Sequence, residues 1–129
     1  MIIQKKIILG AAQFGNKYGI YTKQTKMKNI KEIKKILKYF LLNKINYLDT
    51  AQDYQNSEKI IGKLSKKKFK IISKIKVKRN LSAEDLEKNI IKKTLNSLSY
   101  LKISKIYILH LHNVDIYLDN KKYLSKIYN

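Results

Sequence analysis

The sequence has no cysteine and no proline, and only nine acidic residues set against 29 basic ones. A single one of those basic residues, Arg79, is an arginine. Without cysteine, disulfides, thiolate metal sites and cysteine nucleophiles are excluded. The same absence fits a reducing compartment, so a cytoplasmic protein is the expectation. Long hydrophobic runs are missing too. No stretch approaches the ~20 apolar residues of a membrane span. The opening "MIIQKKIILGAAQFG" has an apolar segment, Ile7 to Ala12, that is too short for a secretory leader and is followed by no cleavage pattern. No membrane partner is expected.

The arginine shortage decides how the charge is read. A net charge of +20 invites a nucleic-acid partner. Proteins that read phosphates or base edges usually draw on the planar fork of arginine. Here lysine is spread through every segment, beside abundant Ile, Asn and Tyr. That mixture reads as a nucleotide-composition bias in the encoding genome, with weak attraction to polyanions as a by-product. No specific nucleic-acid partner is expected. The rival reading, a Lys-rich nucleic-acid-binding module, requires one basic face with interleaved aromatics.

What is present suits one domain over residues 1–129, with 44% apolar residues to build a core. Short apolar runs alternate with helical spacing. "KKIILGAAQ" reads as a buried strand. Asn29 then precedes Ile30, Ile33, Ile36, Leu37, Phe40 and Leu41, and Asn29 with Glu32 makes a capping-box-like start. "INYLDT" is the second strand. Ser57 is placed to cap a short helix carrying Ile60, Ile61 and Leu64. "FKIISKIKV" is the third strand. Ser82 and Asp85 open a longer helix bearing Leu86, Ile90, Ile91, Leu95 and Leu98. "SKIYILHLHN" is the fourth strand, and the tail "NKKYLSKIYN" begins a fourth helix. About four parallel strands alternating with helices, joined by right-handed crossovers, is the expected α/β fold. Chemistry in such sheets gathers at the carboxyl ends of the strands. That directs attention to Ala12–Gly15, Asp49–Tyr54, Lys74 and His112.

Each of these positions has a plain reading beside a chemical one. Gly10 and Gly15 have the spacing that opens a phosphate loop, but Asn16, Lys17 and Tyr18 follow where Gly-Lys-Ser/Thr is needed. A tight strand-to-loop turn is the better reading. Asp49 ends a strand and Tyr54 sits in the loop after it, so one pocket can hold both. A phenol titrates near ~10, so Tyr54 can act as a general acid only if a neighbouring cation stabilises its phenolate. Lys74, at the end of the next strand, is that cation, and Asp49 would hold its charge. Lysine is so common here that Lys74 alone carries little weight. His110 and His112 share one strand face with Ile106 and Ile108. Two histidines without a third clear ligand make a weak metal site, so none is assigned. His112, last before the loop, is placed to hydrogen-bond a substrate. His110 lies one layer deeper, as a structural residue.

Taken together, these segments resemble the aldo-keto reductase family. The family marker D-T-A-x-x-Y-G-x-S-E stands here as "DTAQDYQNSE", with Gln55 in place of Gly. "LGAAQFGNKYGI" resembles the L-G-T-A-Q-F-G-x-x-Y-G-I opening of a bacterial branch of that family. "LKISKIYILHLHN" is similar to its fourth-strand segment, L-G-V-D-Y-I-D-L-Y-L-L-H. Laid residue for residue, the active-site histidine of the family falls on His112, and Tyr107 replaces its aspartate.

The resemblance implies the first half of a (β/α)8 TIM barrel and reduction of a small-molecule carbonyl to an alcohol by hydride transfer from NADP(H). It implies the tetrad Asp49, Tyr54, Lys74 and His112. Tyr54 would donate the proton, Lys74 and Asp49 would tune it, and His112 would orient the carbonyl. A complete barrel of this kind takes ~250 residues. Its last four strands would supply most of the cofactor site, so no cofactor-binding residue is assigned. The expectation is a truncated domain, weakly active or inactive alone. Two alternatives follow from a four-stranded sheet: a non-catalytic half-barrel that binds a partner, and a homodimer in which two copies close a barrel through their open edges.

Overall fold

The computed structural model describes residues 7–15, 29–65 and 67–119. Within them, strands and helices alternate. They are β1 (Ile8–Gly10), α1 (Ile30–Leu42), β2 (Tyr47–Asp49), α2 (Ser57–Leu64), β3 (Lys70–Ile75), α3 (Ala83–Leu101), β4 (Ile108–Leu111) and α4 (Val114–Asp119). The strands form one parallel sheet in the order β1-β2-β3-β4, with β1 and β4 outermost. This is the expected α/β architecture. The expected fourth helix starts earlier than the tail proposed for it, at Val114, and the tail itself lies outside the described residues.

Strand register sorts the side chains into two faces. Leu9, Leu48 and Ile71 are register partners, and all are buried beneath the helices. They meet Ile33 and Leu37 of α1, Ile61 of α2 and Leu101 of α3 in the larger core. Ile75, Val77, Leu86, Ile90 and Ile116 form a smaller core beneath α3 and α4. Because side chains alternate along a strand, the other face carries Ile8, Asp49, Ile72, Lys74, Ile108 and His110 in register rows. This is the face that a closed barrel turns inward, and Ile8 and Ile108 on it are 48% and 40% exposed.

The helix starts follow local chemistry. At α1 the Asn29 Oδ1 accepts from Glu32 N (2.9 Å) and Asn29 N donates to Glu32 Oε2 (3.0 Å), a reciprocal capping box. At α3 Ser82 Oγ accepts from Asp85 N at 3.1 Å. The buried stripe of α3 is narrower than expected. Leu86, Ile90 and Leu101 are buried, whereas Ile91 and Leu95 are exposed among the described residues. Ile91 follows Ile90 by one residue and points about 100° away from it, so one sheet-facing stripe cannot take both.

Ser57 does not cap α2. It is the first helical residue, and the cap position belongs to Asn56, whose side chain makes no cap bond. Ser57 Oγ instead donates to Ala11 O (2.9 Å) and shares a hydrogen bond with Thr50 Oγ1 (3.0 Å). Ala11 O also accepts from Phe14 N (3.0 Å), so the hydroxyl adds a second bond to it where the loops after β1 and β2 meet.

Glycine is used where backbones approach. A Cβ on Gly62 would overlap Tyr100 O, so its absence lets α2 lie against the end of α3. A Cβ on Gly15 would overlap Ser57 N and Tyr54 O, which seats the loop after β1 on the loop after β2. The expected strand-to-loop turn forms between Gly10 and Gly15, with Phe14 N donating to Ala11 O (3.0 Å), and Gly15 serves the close approach instead.

Candidate active site

The loop after β2 builds the site. Its first half stays laddered to β3, with Thr50 N donating to Ile72 O (2.9 Å) and Gln52 N to Lys74 O (3.0 Å). Two turns then fold it, Tyr54 N to Ala51 O (3.1 Å) and Ser57 N to Tyr54 O (3.0 Å). Tyr54 is thereby carried back over the strand ends, where Lys74 and His112 emerge.

Lys74 Nζ lies 2.6 Å from both carboxylate oxygens of Asp49 and 3.1 Å from Thr50 O. The pair is half-buried, with side-chain exposures of 22% for Lys74 and 31% for Asp49. A charge-assisted contact with both oxygens fixes the ammonium in place. The same Nζ stands 5.5 Å from the centroid of the Tyr54 ring, within the range at which a cation is drawn to an aromatic face. His112 meets Tyr54 edge-on, ring centroids 6.2 Å apart at 88°. Its backbone N donates to Ile75 O at 2.8 Å, which continues the β3–β4 ladder one step past the strand. The structure therefore brings all four expected residues together at the ends of β2, β3 and β4. His110 does not join them. It pairs in register with Lys74 and is exposed on the open sheet face, not packed in a deeper layer as expected. Among the described residues, none covers His110 on that face.

Three residues of the surroundings have no role assigned from the sequence. Asp53 Oδ2 faces His112 Nδ1 at 3.6 Å, and that nitrogen is buried without a hydrogen-bond partner. Gln52 Nε2 donates to Lys93 O (2.7 Å) and Ser97 Oγ (3.1 Å), tying the loop to α3. Glu58 is 1% exposed behind the sheet. Its Oε1 accepts from Ser73 Oγ at 2.7 Å, and Oε2 has no partner. Burial raises the Glu58 carboxyl above its ordinary value, and the hydroxyls of Ser73 and Ser97 beside it offset only part of this. Asp53 and Gln52 occupy the unspecified positions of the "DTAQDY" run, so no motif signals them. Glu58 was visible as a motif residue, but not as a buried charge.

Gln55, which replaces the glycine of the family marker, has φ 49°. That left-handed backbone is unfavourable for a residue with a Cβ. Gln55→Gly relieves the strain, against the greater freedom glycine has in the unfolded chain. It is expected to stabilise the fold by about 0.5–1 kcal/mol. Urea denaturation checks this, and an unchanged or lower midpoint would show that the position is not strained.

The fold and the strand-end cluster define an open half of a (β/α)8 barrel with a carboxylate, a lysine, a tyrosine and a histidine converging at one end. The family model for the aldo/keto reductase family matches residues 6–128, and the chain belongs to that family. Solved structures agree on the fold. A Pseudomonas aeruginosa protein, PA4992, assigned as an aldo-keto reductase, superposes with a TM-score of 0.69 at 23% identity, covering 95% of this chain and 50% of its own. A thermostable aldo-keto reductase, Tm1743, solved with the inhibitor epalrestat, gives 0.61 at 22% identity over 92% of this chain and 43% of its own. The chain thus spans about half the length of the structures it matches. No curated protein matches it.

Proposed function

We propose that this chain supplies the proton-transfer half of a carbonyl-reducing site, with Tyr54 as the acid. The observation that carries the reading is the placement of Lys74 Nζ, 2.6 Å from Asp49 and 5.5 Å from the Tyr54 ring. A fixed cation beside a phenol stabilises the phenolate left after proton donation, and so makes the proton available near neutral pH. Asp49 holds the Lys74 side chain in place. His112, edge-on to Tyr54, borders the space where a carbonyl oxygen would accept the Tyr54 proton. The substrate is a small-molecule aldehyde or ketone.

The family resemblance implies NADP(H) as the hydride donor. The described part of the loop after β1 gives its phosphates no cradle. Gly15, the glycine a phosphate would approach, is packed against the backbone of Tyr54 and Ser57. No step is therefore routed through the cofactor here. A thermal-shift titration of the 129-residue chain with NADPH is expected to leave Tm unchanged. A graded rise with concentration would reveal a dinucleotide site within these residues.

The function is tested by following carbonyl-dependent oxidation of NADPH with aldehydes and ketones. The chain is assayed alone and in a barrel completed by the second half of the Pseudomonas relative. Turnover that depends on Tyr54 supports the reading, and turnover that survives loss of its hydroxyl contradicts it.

A further inference from the structure

Beside the strand-end cluster lies a cleft of about 380 Å³, large enough for a small ligand. Its wall carries Lys76, Lys78, Arg79 and Lys93, with Asp53 as its single carboxylate. The only arginine of the chain is therefore here. Lysine is common everywhere in this protein, and a second hollow at the opposite end of the sheet also holds lysines, among them Lys68 and Lys105. Two features set the strand-end cleft apart.

The first is that its walls are fastened to one another. Asn113 Oδ1 accepts from Val77 N (3.2 Å), and Asn113 Nδ2 donates to Val77 O (3.1 Å). This double bond joins the loops after β3 and β4. Arg79, in the loop after β3, pairs with Asp115 in the first turn of α4. Gln52 ties the loop after β2 to Lys93 O on α3. The backbone around the hollow is thus fastened, and the exposed lysines Lys76 and Lys78 rise from it.

The second feature is continuity with the chemistry. Asp53 lines the cleft and also faces His112 Nδ1 at 3.6 Å. A molecule with its carbonyl at Tyr54 and His112 would extend its remainder past Asp53 toward Lys76 and Lys78. Arg79 is paired with Asp115 and Lys93 Nζ meets Gln52 Oε1 at 3.4 Å, while Lys76 and Lys78 stand exposed beside them. Excess positive charge in a fixed hollow favours an anionic group.

We infer that the cleft takes the anionic tail of the substrate, so that the carbonyl compound reduced here bears a carboxylate or a phosphate. Lys76 and Lys78 are its specificity determinants. The inference rests on the carbonyl-reducing reading of the site, but its test uses neither cofactor nor turnover. A failure of reduction and a failure of anion recognition are therefore separate results.

The full chain, labelled with ¹⁵N, is titrated at physiological salt with two matched pairs of probes. One pair is 4-carboxybenzaldehyde and benzaldehyde, and the other is glyceraldehyde 3-phosphate and glyceraldehyde. In at least one pair, the charged member is expected to bind about ten-fold more tightly than its neutral twin, with amide shifts centred on residues 76–79 and 113. Which pair responds identifies the anion. The double variant Lys76→Gln/Lys78→Gln should bring the charged probe down to the affinity of the neutral one. Lys68→Gln/Lys105→Gln removes the same charge at the other end of the sheet and should change little. Equal binding of charged and neutral probes would overturn the inference. So would equal losses in the two double variants, because attraction would then come from net charge alone.

Discussion

Tyr54→Phe is expected to lower carbonyl reduction by about a hundred-fold or more in a barrel completed around this chain, while leaving the fold intact. General acid catalysis contributes on the order of 10²–10⁴, and phenylalanine removes only the hydroxyl. The ring remains, so the Lys74 contact at 5.5 Å and the edge-on His112 contact at 6.2 Å can persist. The loss should fall on kcat more than on KM, because the proton moves in the transition state. His110→Gln is the matched control. His110 is exposed and lies outside the Tyr54 cluster, so a change of no more than about three-fold is expected, equivalent to under ~1 kcal/mol. Equal losses in the two variants would mean that the wrong histidine has been placed beside the substrate.

Glu58→Gln should make the fold more stable above neutral pH and remove a pH dependence. Glu58 is buried, its Oε2 lacks a partner, and burial raises its carboxyl above the ordinary 4.5. Between that value and the raised one, the folded chain binds more protons here than the unfolded chain does. By linkage, stability falls as pH rises through this window. Below 4.5 both states are protonated and this group contributes no slope. Above the raised value the fold carries the full cost of a buried charge with one unsatisfied oxygen. That cost is about 1–3 kcal/mol, less what the first turn of α2 returns by favouring an anion. Glutamine keeps an oxygen for Ser73 and has no charge to bury. Urea denaturation at pH 4 and pH 8 separates the cases. The variant should exceed the parent at pH 8 and lose that advantage at pH 4. A parent that is the more stable at pH 8 would show that the ionised carboxylate is satisfied.

How far the sequence could be read depended on how local the signal was. The helix starts, the strands and their parallel order follow from short-range patterns, and the Asn29–Glu32 capping box and the Ser82 cap on Asp85 N formed as written. The "DTAQDY" run and the strand-end positions of Lys74 and His112 were also enough to bring the four site residues together. What escaped depends on contacts far apart in the chain. Ser57 looks like a cap in sequence, but its hydroxyl is drawn to Ala11 O, 46 residues away. Glu58 reads in sequence as an ordinary first-turn carboxylate, and only the fold buries it beside Ser73 and Ser97. Asp53 acquires meaning only when the loop after β4 brings His112 to within 3.6 Å. The apolar spacing of α3 pointed to Ile91 and Leu95, but the sheet reaches only one stripe of that helix.

The central claim is that Lys74, held by Asp49, makes the Tyr54 proton mobile. It is tested most directly without cofactor or substrate, by following tyrosine Cζ resonances through a pH titration of ¹³C-labelled chain. Tyr54→Phe assigns the signal, and Lys74→Met removes the cation. The account predicts that Tyr54 ionises at least about one pH unit lower in the parent chain than in Lys74→Met, the scale set by an opposite charge within ~4–6 Å. Ionisation at the same pH in both proteins would contradict it.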